Sequence, residues 1–260
     1  MNLPRAKKAL GQNFLVNEGV RDAIISALAP QPHETIIEIG PGPGVLTHIL
    51  ARRSHRLIAI EKDPVLAQNL RHTFVQIPSV QIESADILTW NPRHTLGEDE
   101  AYSIVGNIPY NITGAILRTV LETWPRPRTI VFMVQKEVAE RMMTRPPHMN
   151  ILAVCTQLFA TVSRVMNVAP GSFRPAPRVF SSVIQLTPHI QGPREGLCAF
   201  VRAGFSHPRK QLAAVLGAHF SLPREVVESH LADIHKPPTT RAQELSCEEW
   251  QALFTSVRAS

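Results

Sequence analysis

The stretch Gly106-Asn107-Ile108-Pro109-Tyr110-Asn111 carries one amide side chain, outward-facing backbone carbonyls and one aromatic ring. That set can hold a flat, amino-bearing ring, and a purine is the ring it suggests. Two acids upstream point to a second purine. Glu61 lies 21 residues after Gly40, at the end of an apolar run, where a carboxylate accepts from two ribose hydroxyls. Asp86 ends the next run, where it can accept from an adenine amino group. The loop Gly40-Pro41-Gly42-Pro43-Gly44 turns sharply and opens a helix, so its backbone can approach a ligand closely. It is not the dinucleotide pattern GxGxxG, because Val45 stands where the third glycine belongs. An acid after each of two successive strands, without that pattern, fits an adenosine that carries no pyrophosphate.

These residues need strand ends to hold them. Short apolar runs predict strands at Thr35–Ile39, Leu57–Ile60, Val80–Ile82, Tyr102–Val105 and Thr129–Val134. Helical spacing falls between them. Asn17 caps a run through Val20, Ile24, Ile25 and Leu28 that stops at Pro30 and Pro32, and others follow at Val45–Leu50, Pro64–Leu70, Ile112–Leu121 and Lys136–Met143. Strands alternating with helices at this spacing predict an α/β fold with a parallel, doubly wound sheet. Two β-rich runs, around Leu152–Val168 and Ser182–Leu186, predict a terminal hairpin, with the Pro-rich segment Gly171–Val179 crossing near the active edge. Beyond Pro188 the strand signal ends, and helices are expected at 197–205, 210–216, 224–231 and 248–257. The expected division is a cofactor-binding domain over 1–188 and a small C-terminal helical domain over 189–260.

A net charge of +6 favours a polyanionic partner such as RNA, DNA or an anionic surface. Arg5, Lys7, Lys8, Arg174, Arg178, Arg209 and Lys210 are the residues expected to grip phosphates. No run of 18 apolar residues exists, and the first residues lack the apolar core of a secretory signal. Cys155, Cys198 and Cys247 are far apart and form no CxxC pair. They suit reduced thiols in the cytoplasm and argue against a zinc site. No histidine spacing suggests a metal site, and none is expected.

Gly11-Gln12-Asn13-Phe14-Leu15, Glu38-Ile39-Gly40-Pro41-Gly42-Pro43-Gly44, Gly106–Asn111 and Gln135–Arg141 together resemble the ribosomal RNA adenine dimethyltransferases. Phe173-x-Pro175-x-Pro177-Arg178-Val179-x-Ser181 and Phe205-x-x-x-Arg209-Lys210 extend the likeness over nearly the whole chain. It is greatest to the bacterial enzymes that dimethylate two adjacent adenines near the 3′ end of 16S rRNA. The resemblance implies a Rossmann-like class I methyltransferase sheet and S-adenosylmethionine as cofactor. Its implied partner is 16S rRNA in a small-subunit precursor, and a monomer working away from membranes is expected. Asn13, Leu15, Gly40 and Gly42 would contact the methionine end, Glu61 and Lys62 the ribose, and Asp86 and Ile87 the adenine. Asn107 would touch both cofactor and substrate.

The lone pair of an adenine N6 is delocalised into the ring. The Asn107 side-chain oxygen and a backbone carbonyl near Pro109 can accept from the N6 hydrogens and favour a more pyramidal nitrogen. Tyr110 would stack on the flipped base and Phe173 would take its other face.

The chain also departs from the family. Members usually carry Tyr-Gly-Arg-Leu-Ser where this chain has Met149-Asn150-Ile151-Leu152-Ala153, an Asp or Asn where it has Phe180, and a second Arg where it has Pro208. The alternatives are a 23S-directed dimethyltransferase of the resistance type, a non-catalytic ribosome-assembly or RNA-binding factor on the same fold, and a DNA adenine methylase.

Overall fold

The computed structural model describes residues 4, 7, 11–97, 100–189 and 195–259, so the expected phosphate contacts Arg5 and Lys8 lie outside the described residues. The chain packs as two compact units, Met1–Ala139 with Thr161–Pro188, and Glu140–Ala160 with His189–Ser260. The helical unit therefore takes in a segment, Glu140–Ala160, that lies ahead of the boundary expected at 188/189.

The first unit opens with the short strand β1 (Phe14–Leu15), and Asn17 caps helix α1 (Glu18–Leu28) through the Val20 amide. Then come β2 (Thr35–Ile39), α2 (Thr47–Arg53), β3 (Arg56–Glu61), α3 (Pro64–Thr73), β4 (Val80–Ser84) and β5 (Tyr102–Asn107). The helical segment after β5 is broken: a 3-10 turn at Tyr110–Ile112, α4 (Thr113–Arg118), then a wider π-type turn at Thr119–Thr123. β6 (Ile130–Gln135) follows, and then α5 (Lys136–Met142).

The seven-stranded sheet runs β4-β3-β2-β5-β6, all parallel, then β9 (Ser181–Pro188) antiparallel to β6, with β7 (Ala160–Val168) beyond it. Neighbouring residues such as Ile36 and Ile37, Leu57 and Ile58, and Ile104 and Val105 are all fully buried. Both faces of the sheet are therefore covered, which is why these strands read as unbroken apolar runs rather than alternating ones. On one face α1 and α2 place Ile24, Leu28 and Leu50 in a cluster with Ile36, Leu57, Val105 and Val131.

Chain direction across the sheet reverses at β2. The chain moves outward through β3 and β4, then returns to lay β5 on the other side of β2. Such a switch point leaves a crevice at the strands' carboxyl ends. Register sets Ile39 opposite Gly106, so Gly40 and Asn107 emerge side by side. Gly106 has no alternative here, since a Cβ would lie 2.7 Å from the Ile39 carbonyl oxygen.

The β-rich run expected over Leu152–Val168 is in its first half a helix, α6 (Ile151–Gln157). Asn150 caps it by accepting from the Ala153 amide, and that local bond outweighs the strand preference of the apolar residues after it. α6 belongs to the helical unit, where Met149, Ala153 and Val154 join a core with Phe200, Leu212, Leu216 and Trp250. The helices α7 (Leu197–Gly204), α8 (Leu212–Phe220), α9 (Arg224–Asp233) and α10 (Cys247–Ala259) complete it, close to the expected positions. Ser246 and Glu249 form a reciprocal capping box at the start of α10.

One buried acid in the sheet has no countercharge among the described residues. Glu38 in β2 is 1% exposed and accepts from the Thr47 hydroxyl of α2 at 2.7 Å. Burial, partly offset by that hydrogen bond, pushes its carboxyl up to about 8. Its protonated form stabilises the fold, fully so below the ordinary carboxylate range, and that stabilisation is lost as pH rises through about 8. Glu38→Gln fixes the neutral form. Between pH 5 and 8 the wild type should lose on the order of 4 kcal/mol relative to this variant in urea titrations; parallel pH curves would contradict the assignment.

Candidate functional site

A cleft opens at the switch point, where open α/β sheets hold their ligands. Of the residues expected to act, Asn13, Gly40, Gly42, Glu61, Lys62, Asp86, Ile87, Asn107, Pro109 and Tyr110 all line it.

Glu61 ends β3 and is 6% exposed. Its carboxylate is fixed at both oxygens: Gly42 donates its amide to Oε2 at 3.0 Å, and Asp63 donates to Oε1 at 2.8 Å. Gly42 can aim its amide this way because its φ is +60°. Each oxygen keeps further acceptor capacity, which is what a pair of vicinal hydroxyls requires. Burial raises the carboxyl above its ordinary range, against the lowering effect of the Asp63 and Gly42 amides. Asp86 lies beyond the end of β4. Its Oδ2 takes Lys62 Nζ at 2.8 Å and its Oδ1 takes the Leu88 amide at 3.1 Å. The Lys62 bond is the main reason that its carboxyl lies below the ordinary range, so it is a charged acceptor at the cleft wall.

The Asn107 side chain at the end of β5 donates Nδ2 to the Asn13 carbonyl at 2.8 Å. A carbonyl can only accept, so this bond commits the NH2 to Asn13 and leaves Oδ1 as the acceptor available to a ligand. The expected carbonyl near Pro109 is resolved by its partners. Pro109's own oxygen already accepts from the Ile112 amide and the Thr113 hydroxyl, both at 3.2 Å. The preceding carbonyl, of Ile108, accepts no hydrogen bond among the described residues, and Ile108 lines the cleft. Of the two carbonyls at this turn, that of Ile108 is the one left able to accept from a ligand.

Tyr110 lines the cleft, half-buried, and its hydroxyl is 2.6 Å from Ser181 Oγ of β9. Burial raises the phenol further, so it remains protonated. Phe173 is different. It is fully buried, packed with Leu15, Ile24, Met133 and Val183, and does not line the cleft. Its strand β8 (Phe173–Arg174) pairs with β1, which turns its ring into the core. Leu15 also lies in that core and borders a smaller depression beside Gly40 and Asn107. Among the expected phosphate contacts, Arg174 and Arg178 are exposed in the first unit, and Arg209 and Lys210 are exposed in the helical unit. Lys7 instead pairs with Asp63 at 2.8 Å. Gln12, Phe14, Ala85 and Ile108 also line the cleft, and their side chains gave no chemical signal in the sequence.

A family model described as ribosomal RNA adenine dimethylase matches residues 4–257. The chain is 37% identical over 254 residues to a ribosomal RNA small subunit methyltransferase A of Dehalococcoides mccartyi strain CBDB1, covering 96% of this chain and 87% of the relative. It is likewise 37% identical over 258 residues to the protein of that name in Chlorobium chlorochromatii strain CaD3, covering 97% and 94%. Among solved structures, a dimethyladenosine transferase from Plasmodium falciparum shares the fold with a TM-score of 0.80 at 22% identity, over 95% of this chain and 98% of that one. The 23S rRNA methyltransferase ErmE is similar with a TM-score of 0.74 at 28% identity, over 95% and 100%.

The Tyr110–Ser181 bond ties the turn after β5 to β9. Tyr110→Phe and Ser181→Ala should each cost about 1 kcal/mol, and the double variant should cost little more than either alone. Fully additive losses in denaturant titrations would show that the two hydroxyls do not act as a pair.

Proposed function

The chain belongs to the ribosomal RNA adenine dimethylase family, and on that premise we propose that it dimethylates N6 of two adjacent adenines near the 3′ end of 16S rRNA in a small-subunit precursor. It is an S-adenosylmethionine-dependent rRNA adenine N6,N6-dimethyltransferase. The observation that carries the residue assignment is the pairing of two acceptors, Asn107 Oδ1 and the Ile108 carbonyl, beside a cleft already furnished with Glu61 and Asp86.

The residues fit the cofactor. Glu61 would hold the ribose hydroxyls, with Lys62 beside it at the cleft wall. Asp86 would accept from the adenine amino group, with Ile87 against its ring. Asn13, Gly40 and Gly42 would flank the methionine end, with Leu15 in the adjoining depression. S-adenosylmethionine supplies a methyl group on a sulfonium, a leaving group that needs no further activation. The protein's task is then to aim the nucleophile. Asn107 Oδ1 and the Ile108 carbonyl accept from the N6 amino group, favour a more pyramidal nitrogen whose lone pair points at the methyl, and stabilise positive charge as it develops on nitrogen. Tyr110, fixed by Ser181, stacks on the extruded base.

The RNA would lie along the exposed segment that leads into β9. Arg174 and Arg178 would meet phosphates there, while Val179 and Phe180 are 43% and 54% exposed. An exposed aromatic that closely follows two arginines suits stacking on an unpaired base next to the target. In the helical unit, Arg209 and Lys210 would add phosphate contacts. No described helix is long and apolar enough to cross a membrane. The small-subunit names of the relatives at 37% identity favour 16S over 23S rRNA, and we propose a monomer acting in the cytoplasm.

The test is a map of N6-methylated adenines in rRNA from cells with and without the gene. Two adjacent adenines near the 16S 3′ end should lose their methyl groups in its absence. Loss confined to 23S rRNA would overturn the substrate assignment. An unchanged map would favour a non-catalytic assembly role.

A further inference from the structure

Beside the cleft lies an ion pair that the methyl-transfer chemistry does not use. Asp63 follows Glu61 by two residues, caps α3, and is 2% exposed. A carboxylate this buried must have its charge balanced and its oxygens filled. Lys7 Nζ lies 2.8 Å from it, the Val65 amide donates at 3.1 Å and Gln12 Nε2 at 3.4 Å. Gln12 is itself held, because its Oε1 accepts the Lys7 amide at 2.7 Å. Burial acts to raise the Asp63 carboxyl, but these bonds, led by Lys7, outweigh it and keep the group below its ordinary range.

Asp63 thus joins two parts of the cleft. Its amide donates to Glu61 Oε1 at 2.8 Å, which sets the carboxylate assigned to the ribose. Its side chain holds Lys7 and Gln12, and Gln12 lines the cleft with Gly11, Asn13 and Phe14. The far end of that segment is secured separately: Asn107 holds the Asn13 carbonyl, and β1 pairs with β8. The near end depends on Asp63. Exposure within the pair is unequal, 49% for the Lys7 side chain and 3% for that of Asp63. Lys7 can therefore leave toward water while Asp63 stays with α3.

We propose that Lys7 and Asp63 form a latch that holds residues 11–14 closed against the cofactor, so that both are positioning residues for S-adenosylmethionine and set how fast it leaves. This rests on reading the cleft as the cofactor site. Neither residue touches the cofactor; Lys7 acts through Gln12 and the segment after it, and Asp63 acts through Gln12 and Glu61. Without the Lys7 ammonium the buried carboxylate keeps, among the described residues, the Val65 amide and the long Gln12 contact, and the near end of the segment loses its charged tie to Asp63.

The test uses the full chain with S-adenosylhomocysteine as the probe, measured by calorimetry and stopped-flow dissociation. Lys7→Met keeps the apolar stem and removes the charge. It should weaken binding about five- to tenfold, chiefly through faster dissociation and with the association rate constant within about twofold of the wild type, lower the unfolding midpoint of the ligand-free protein because Asp63 loses its countercharge, and be rescued in both by Lys7→Arg. Glu61→Gln serves as the control for the cleft. If Glu61→Gln loses affinity while Lys7→Met keeps wild-type affinity and dissociation rate, the latch is refuted and the cofactor site stands. If Glu61→Gln binds like the wild type, the cofactor reading fails and the latch with it. A Lys7→Met variant whose lost affinity lies in slower association, with the dissociation rate constant unchanged, would make Lys7 merely structural and also overturn the proposal.

Discussion

Everything at the cleft depends on one hydrogen bond across the switch point, from Asn107 Nδ2 to the Asn13 carbonyl. A primary amide offers donors on one side and an acceptor on the other, and which side faces the ligand is decided by what the donor finds. Here the donor finds a carbonyl from the segment ahead of β1, so the oxygen is the side left for a ligand. The bond exists because the sheet reverses direction at β2 and brings β5 beside it, and because Gly106 lets the two strands approach without a side chain between them.

The acids around this bond are tuned by surroundings rather than by residue type. Asp86, paired with Lys62 near solvent, is held below the ordinary range, while Glu61, buried and facing two amides, is held above it. Glu38 is deeper and has only a hydroxyl, and it is pushed up to about 8. Negative charge is therefore held at Asp86 on the cleft wall rather than in the sheet interior, where Glu38 stays protonated below about pH 8.

Much of this was legible in the sequence because strand ends place side chains predictably. Five apolar runs became five parallel strands, and the polar residues that ended three of them, Glu61, Asp86 and Asn107, converged on one cleft. What stayed hidden was long-range pairing. Lys7 and Asp63 are 56 positions apart, and Tyr110 and Ser181 are 71 apart, with no local pattern to announce either. Lys7 read as a phosphate contact because a lysine near a chain terminus carries no sign of a buried partner. Phe173 read as a stacking ring, but pairing of β1 with β8 turned it into the core. The helix at Ile151–Gln157 was masked by apolar, β-prone residues, and only the Asn150 cap signalled it. That segment, one of those expected to depart from the family's pattern, is capped by Asn150 and sets Met149 in the core of the helical unit.

The central claim is that Asn107 aims the target nitrogen. It is tested most directly by the single-turnover rate constant for methyl transfer in Asn107→Ala, at saturating S-adenosylmethionine and saturating RNA, so that affinity drops out of the measurement. Loss of the acceptor at the reacting nitrogen predicts a fall of about a hundredfold or more. A rate constant within about twofold of the wild type would contradict it, since loss of a preorganised acceptor in such a site should cost far more than that.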